Sequence, residues 1–324
     1  MLPNPHLLIR PFLRREAVLS SRIEGTVTRL DQLLLFETAS GQLAPDDDAE
    51  EVFNYVLALE LGLEAIRSGQ PFTRGLLREV HKALMQGVRG SDKRPGEFRD
   101  QSVAIGSASR FVPADPHQVA PLLDDFLTFL REGRSMPIIV QLAVMHYHFE
   151  AIHPFNDGNG RVGRLLITLM LCERGALSQP LLYLSAFFDE HREEYYDHLL
   201  AVSRHGRWEE WIGFFARGVA EQATDAALRT RKLLELAREY KHLAIQAGHS
   251  SKALLLLDEL SSSPYVTVNR VKQVTGTLAK AAGKLVDGLV ALGILREVTN
   301  QKRNRIFCAD RIVELLDKPL TPGE

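Results

Sequence analysis

Cysteine is nearly absent from this 324-residue chain: only Cys172 and Cys308 occur, far apart and in no metal or redox spacing. That excludes a disulfide-stapled scaffold, and both are read as buried thiols in a reducing compartment. No apolar run is long enough to cross a bilayer; the longest strongly apolar block is Leu165 to Cys172. The N-terminus mixes prolines and arginines with short apolar pieces, a poor secretory signal, so a cytoplasmic location and no membrane partner are expected. There is no large charge excess either. A net charge of -2 gives no global attraction to nucleic acid or to a membrane surface. Internal repeats and long low-complexity tracts are missing too. What remains is ordinary globular composition, 45% hydrophobic and 25% charged, at a length that suggests two or three domains.

One stretch stands out: His153-Pro154-Phe155-Asn156-Asp157-Gly158-Asn159-Gly160-Arg161-Val162-Gly163-Arg164. Upstream, Ile138, Ile139, Leu142, Met145, His146, Phe149 and Ile152 recur at helical spacing. Pro154 biases His153 away from the α region, so that helix should end there. Asn156 to Gly160 is turn chemistry, and Val162 to Glu173 reads as a buried helix closed by Gly175. Glycines where a turn becomes a helix N-terminus leave free N–H groups at the positive end of the dipole, which suits a phosphate. Arg161 and Arg164, three apart, share a face and could clamp phosphates. Asp157 could hold Mg²⁺, which favours few carboxylates plus substrate phosphates. His153 is the group in the loop able to take a proton near neutral pH. These parts together suit nucleotidyl or phosphoryl transfer; the bland alternative is a polar turn with capping arginines. A metal reading is also open, since His146, Glu150 and His153 fall at i, i+4 and i+7. However, Pro154 breaks the helix beside His153, and the His-Glu-x-x-His order of helical zinc proteases is absent. His146 is read as a satisfied core histidine.

The stretch resembles the signature of the Fic (Fic/Doc) family, His-Pro-Phe-x-Asp/Glu-Gly-Asn-Gly-Arg-x-x-Arg, at every fixed position. Members typically transfer AMP from ATP to a hydroxyl side chain of a target protein. The resemblance implies ATP and Mg²⁺, with His153 as the general base, Asp157 as the metal ligand, and Gly158, Asn159 and Gly160 as the anion nest. It implies that Arg161 contacts the phosphates, that Arg164 positions the γ-phosphate, and that Phe155 and Asn156 belong to the nucleotide-binding stretch, Phe155 as the core anchor of the loop.

Near the N-terminus, Ser20-x-x-x-Glu24-Gly25 resembles the family's inhibitory motif, placed ahead of the core. The resemblance pairs Glu24 with Arg164. A carboxylate there would take up the γ-phosphate clamp and leave ATP misaligned, in a reaction that depends on positioning and charge stabilisation. In some relatives the same glutamate removes AMP, and that stays open here. Asp46-Asp47-Asp48 with Glu50 and Glu51 reads as acidic chemistry at the start of a helix over Val52 to Ile66. Thr73 to Met85 reads as the next helix, and Gly87 to Pro116 as loop. Within that loop, residues 102–113 read as a short β-hairpin around Gly106 to Arg110, preceded by Gly96-Glu97-Phe98-Arg99. This resembles the family's flap, which would dock the target by strand addition. Leu122 to Leu130 and Ser185 to Ser203 read as helices. Arg192 to Tyr196 resembles a family run whose second tyrosine, here Tyr196, lines the nucleotide pocket. Ser203 stands where some relatives carry an Asn near the adenine. Trp208 begins an apolar helix that could continue to Gly248 as a connector or dimer contact.

From about 249 the pattern is helix, helix, helix and a two-stranded wing, resembling a winged helix-turn-helix domain. Thr267 to Phe307 carries eight Lys/Arg against two Asp/Glu, a local net of +6. DNA or a protein partner would fit such a module. The expected fold is all-α: a Fic helical core with a β-hairpin flap, plus the C-terminal winged helix. The expected division is 1–90 (N-terminal helices), 91–248 (catalytic core) and 249–324 (winged helix). The expected function is a self-inhibited protein adenylyltransferase, with self-AMPylation and a homodimer left open. The alternatives are a DNA-binding, nucleotide-sensing regulator and a Fic enzyme using another nucleotide donor. The intact His153 favours an enzyme, because a sensor needs no base.

Overall fold

The computed structural model describes residues 6–39, 46–87, 93–104, 111–299, 301 and 303–320. The elements in order are α1 (His6–Ile23), α2 (Leu30–Ala39), α3 (Asp47–Arg67), α4 (Arg74–Leu84), α5 (Pro116–Glu132), α6 (Ile138–Ile152), α7 (Asn159–Glu173), α8 (Ser185–Glu190), α9 (Arg192–His205), α10 (Trp208–Gln246), α11 (Ser251–Ser262), β1 (Tyr265–Thr267), α12 (Val268–Thr275), α13 (Ala279–Ala291), β2 (Arg296–Glu297), β3 (Ile306–Cys308) and α14 (Asp310–Asp317). The fold is all-α with one small antiparallel sheet. Among the described residues no helix is long and apolar enough to cross a membrane.

The chain divides into two compact units. One comprises Glu16–Val27 and Asp46–Ala223; the other comprises residues 1–15, 28–45 and 224–324. In the first unit the helix starts follow local chemistry. Asp46 accepts from the Ala49 N–H at 3.0 Å and precedes a first turn carrying Asp47, Asp48 and Glu50, which favours the positive helix end. Thr73 caps α4 through the Leu76 N–H, and Asp115 caps α5 with Pro116 at its first position. α3 packs on α4 and α7, and α6 packs on α5 and α7. α7 is buried along nearly its whole length, as its near-continuous apolar sequence requires. The helix expected over Ser185 to Ser203 is instead two, α8 and α9, parted at His191 (φ -108°, ψ 37°).

Half of the flap expected over residues 102–113, residues 105–110, lies outside the described residues. At its flanks, Val103 and Ala104 take no regular structure and Phe111 is a single bridge position. In the other unit the sheet order is β1-β3-β2, with Val266 opposite Phe307 and Glu297 opposite Phe307 on the other side. Thr267 both ends β1 and caps α12, accepting from the Arg270 N–H at 3.2 Å. Leu30, Leu33 and Leu34 of α2 are buried, and α2 packs on β1 and α14.

Candidate functional site

The loop between α6 and α7 is built by its own residues. α6 stops at Ile152, and His153 adopts the left-handed conformation (φ 50°, ψ 61°) before Pro154. Such a backbone in a residue with a Cβ costs about 1–2 kcal/mol, so the surroundings must hold it. Arg99 does this: its Nε donates to the His153 carbonyl at 2.7 Å, and its other nitrogens reach the Ile152, Ala114 and Gln101 carbonyls. Asn159 closes the loop from the other side, accepting from the Phe155 N–H and donating to the Phe155 carbonyl, both at 2.8 Å. Phe155 is fully buried. Its ring stacks on His81 of α4 at 3.7 Å between centroids and 1° between planes. His81 accepts from the Gly96 N–H through Nδ1 and so donates to the Asp157 carbonyl through Nε2, at 3.0 Å. Burial holds its imidazole down at about 4, which keeps that neutral arrangement.

Gly158 has φ 74°, and a Cβ there would sit 2.9 Å from the Met85 sulfur, so only glycine fits. The N–H groups that follow open α7, and among the described residues its cap position, Gly158, offers no side-chain cap. They are the unpaired donors of a helix start. Beside them, His153 Nδ1 donates to the Glu150 carbonyl at 3.3 Å, which leaves Nε2 as the acceptor. Burial also pulls this imidazole down, to about 4, so it is neutral at physiological pH. The Glu150 carboxyl, 3.9 Å from Nδ1, is pushed up to about 8 by the same burial.

The two arginines have different partners. Arg164 Nη2 donates to Glu24 Oε1 at 2.7 Å and to the Ser20 carbonyl at 3.0 Å, and its Nε donates to Ser20 Oγ at 2.9 Å. Burial alone would raise the Glu24 carboxyl, but the Arg164 charge and hydrogen bond overcome it and hold it below its usual value. Burial likewise opposes the Arg164 cation, and Glu24 overcomes that, keeping it firmly charged. Gly160 makes room for this contact. A Cβ on it would collide with Glu24 Oε1 and lie 2.9 Å from Arg164 Nη1. Gly25 follows with φ 95°, ending the inhibitory-type motif in a turn. Arg161, by contrast, is buried against Glu51 of α3, its Nη1 donating at 2.7 Å.

Asp157 keeps 46% of its side chain exposed, and its Oδ1 accepts from the Gly158 N–H at 2.6 Å. A half-exposed carboxylate beside unpaired helix-start donors fits Mg²⁺, which takes few protein ligands along with water and phosphate oxygens. Among the described residues no cluster of three or more His, Cys, Asp or Glu side chains forms a metal cage. His146 is buried, bonded through Nε2 to the Tyr195 hydroxyl at 2.8 Å and surrounded by Phe188, Trp211 and Phe215. Tyr196 is half-buried next to Tyr195; burial, then the Glu24 charge, raises its phenol. Asn156 is linked through its amide to the Lys93 carbonyl, a long contact of 3.4 Å. Ser203 bonds to the Tyr147 hydroxyl at 3.0 Å.

The structure therefore gathers Ser20, Glu24 and the 153–164 loop into one place. His81, Arg99 and Glu51 join them, none singled out as a site residue by the sequence. The only hint was Gly96-Glu97-Phe98-Arg99, read as the approach to the flap.

A histidine acceptor at the edge of a glycine-led helix start, with two buried arginines, makes a candidate anion site on an all-α core. The chain belongs to the Fic/DOC family: the family's model matches residues 71–171, and the model of its N-terminal region matches residues 1–64. A probable protein adenylyltransferase of Aquifex aeolicus is 37% identical over 84 residues, 26% of each chain. The protein adenylyltransferase Fic of Aedes aegypti is 28% identical over 202 residues, 60% of this chain and 38% of the relative. The chain thus spans well under half the length of these curated relatives. Among solved structures, a Fic family protein from Desulfovibrio desulfuricans superposes with a TM-score of 0.59 at 21% identity, covering 94% of this chain and 88% of that one. Fic-1 of C. elegans superposes at 0.57 and 22% identity, covering 71% and 68%. These two superpositions establish the shared fold.

Proposed function

We propose that the chain is a protein adenylyltransferase that moves AMP from Mg-ATP to a Ser, Thr or Tyr hydroxyl of a target protein, and that Glu24 holds it inactive. The observation that carries this reading is the intact loop with His153 Nε2 left as a proton acceptor. In the reaction, Nε2 takes the proton of the target hydroxyl and the oxygen attacks the α-phosphorus. The bond from the α-phosphorus to its β-bridging oxygen breaks, and pyrophosphate leaves. The α7 start and Arg161 receive phosphate oxygens, and Arg164 receives the γ-phosphate. Asp157 would hold Mg²⁺, which when bound neutralises charge on the phosphates. Inhibition is supported by the Glu24 and Ser20 contacts that occupy Arg164. A carboxylate there puts negative charge where a phosphate must sit. The homologous enzymes' names support AMP as the transferred group.

For the C-terminal segment we propose a winged-helix module. The order β1, α12, α13, β2, β3 and the local excess of positive charge support it, and it would bind DNA or a protein partner.

The test is transfer from α-labelled ATP with Mg²⁺, alone and with cell extract. Glu24→Gly is expected to label protein, wild type to label little, and Glu24→Gly/His153→Ala to label none. No label in any sample with ATP binding intact would favour another donor or a nucleotide-sensing regulator.

A further inference from the structure

Behind the signature loop, a carboxylate from outside every motif touches the first arginine. Glu51, on α3, is 2% exposed. Its Oε1 accepts from Arg161 Nη1 at 2.7 Å and from the buried Thr26 hydroxyl at 2.7 Å. Arg161 Nη2 then lies 3.6 Å from the Met85 sulfur and 3.7 Å from Asp157 Oδ1. Thr26 follows directly on the Glu24-Gly25 turn, and its own N–H is fixed to the Ser21 carbonyl at 3.2 Å.

A buried ion pair is weak grounds for extra stability, because apolar residues of equal volume often serve as well. What a hydrogen-bonded carboxylate does supply is direction. The guanidinium is planar with donors in a fixed fork, so fixing Nη1 sets where Nη2 and Nε point. Glu51 sets this from a different helix, one that carries no part of the loop.

We propose that Glu51 is a positioning residue for the nucleotide phosphates: it holds the Arg161 fork with Nη2 on the Asp157 side of the loop. Through Thr26 it ties that orientation to the segment carrying Glu24. The inhibitory turn is then attached to both arginines, to Arg164 through Glu24 and to Arg161 through Thr26 and Glu51. This rests on the proposed role of Arg161 as a phosphate ligand.

The test is a double-mutant cycle read by calorimetry of Mg-ATP binding, in the Glu24→Gly background, with Glu51→Gln, Arg161→Gln and the pair. Each single change is expected to weaken binding about tenfold, the scale of one charge-assisted phosphate contact. The double variant should bind no more weakly than Arg161→Gln alone, because Glu51 acts through Arg161. An unchanged Kd in Glu51→Gln, or losses that multiply in the double variant, would overturn the proposal. If Glu51→Gln does not melt cooperatively, Glu51→Asp takes its place with the same expectation; it keeps the charge and draws it back by one methylene. The readout is binding, so absence of AMP transfer in Glu24→Gly would refute the activity while leaving this result legible.

Discussion

At His153 a left-handed backbone and a buried ring meet in one side chain. Burial penalises the imidazolium, so the folded ring binds its proton only near pH 4, where an exposed histidine would do so near 6.5. Transfer by Glu24→Gly is therefore expected to stay flat from about pH 7 down to about pH 5, and a kcat/KM profile should show no limb near 6.5. A limb at 6.5 would mean that the base is another group or that the ring is solvated. His81 is the second residue to test. His81→Ala removes the stack on Phe155 and the bond to the Asp157 carbonyl, and should cost about 2–3 kcal/mol in urea unfolding. Its transfer rate should fall with it. The loop itself was legible from sequence, since its turn residues, arginines and histidine are contiguous. His81, Arg99 and Glu51 were not, because each reaches the loop from a segment dozens of positions away. A lone histidine inside an amphipathic helix looks like any other core histidine.

On the scale of elements, α1 carries Glu16 and Ser20 at i, i+4 on one face, and Glu24 follows directly on its last residue, Ile23. Ser20 and Glu24 bond to Arg164. Glu16 lies one turn earlier, accepting from Ser185 Oγ at 2.5 Å and from the Tyr55 hydroxyl at 3.2 Å. Burial lifts its carboxyl to about 7 against those bonds and the Arg164 charge. The folded state thus binds the proton more tightly than the unfolded chain. The stabilisation is complete below about pH 4.5 and is lost as pH rises through 7. Raising the pH from 5 to 8 should destabilise wild type by up to about 3 kcal/mol more than Glu16→Gln, read by urea unfolding at both values. Equal slopes would place Glu16 in a wetter setting. Helices with long apolar periods, such as α6 and α7, were readable in the sequence. β1 was not: three residues between helices offer no alternation to count, and Tyr265, Val266 and Thr267 become a strand only by pairing with β3. α14 was missed for a similar reason, two turns that bury Ile312 and Leu316. The break at His191 was hidden because residues on both sides favour helix.

For the molecule as a whole, one unit is assembled from three stretches of chain, 1–15, 28–45 and 224–324. In it α2 buries Leu30, Leu33 and Leu34 and packs on β1 and α14. A chain cut after residue 248 keeps α2 and loses both of those partners. It should associate more than the full chain does, as measured by light scattering during gel filtration, because freshly exposed leucines seek cover. An unchanged association state would show α2 to be self-sufficient.

In the proposed reaction a γ-phosphate would take the Arg164 guanidinium that Glu24 holds in this structure, so the two would compete for it. Competition of this kind runs in both directions with equal strength. Whatever fills the clamp must loosen the end of α1, and whatever grips the end of α1 must weaken the clamp. Amide hydrogen exchange over residues 21–27 should therefore quicken in wild type when Mg-ATP is added, and stay unchanged with AMP, which brings no γ-phosphate. The N-terminal turn would then report which nucleotide occupies the protein, and a partner that recognises the loosened turn would in effect be reading the triphosphate.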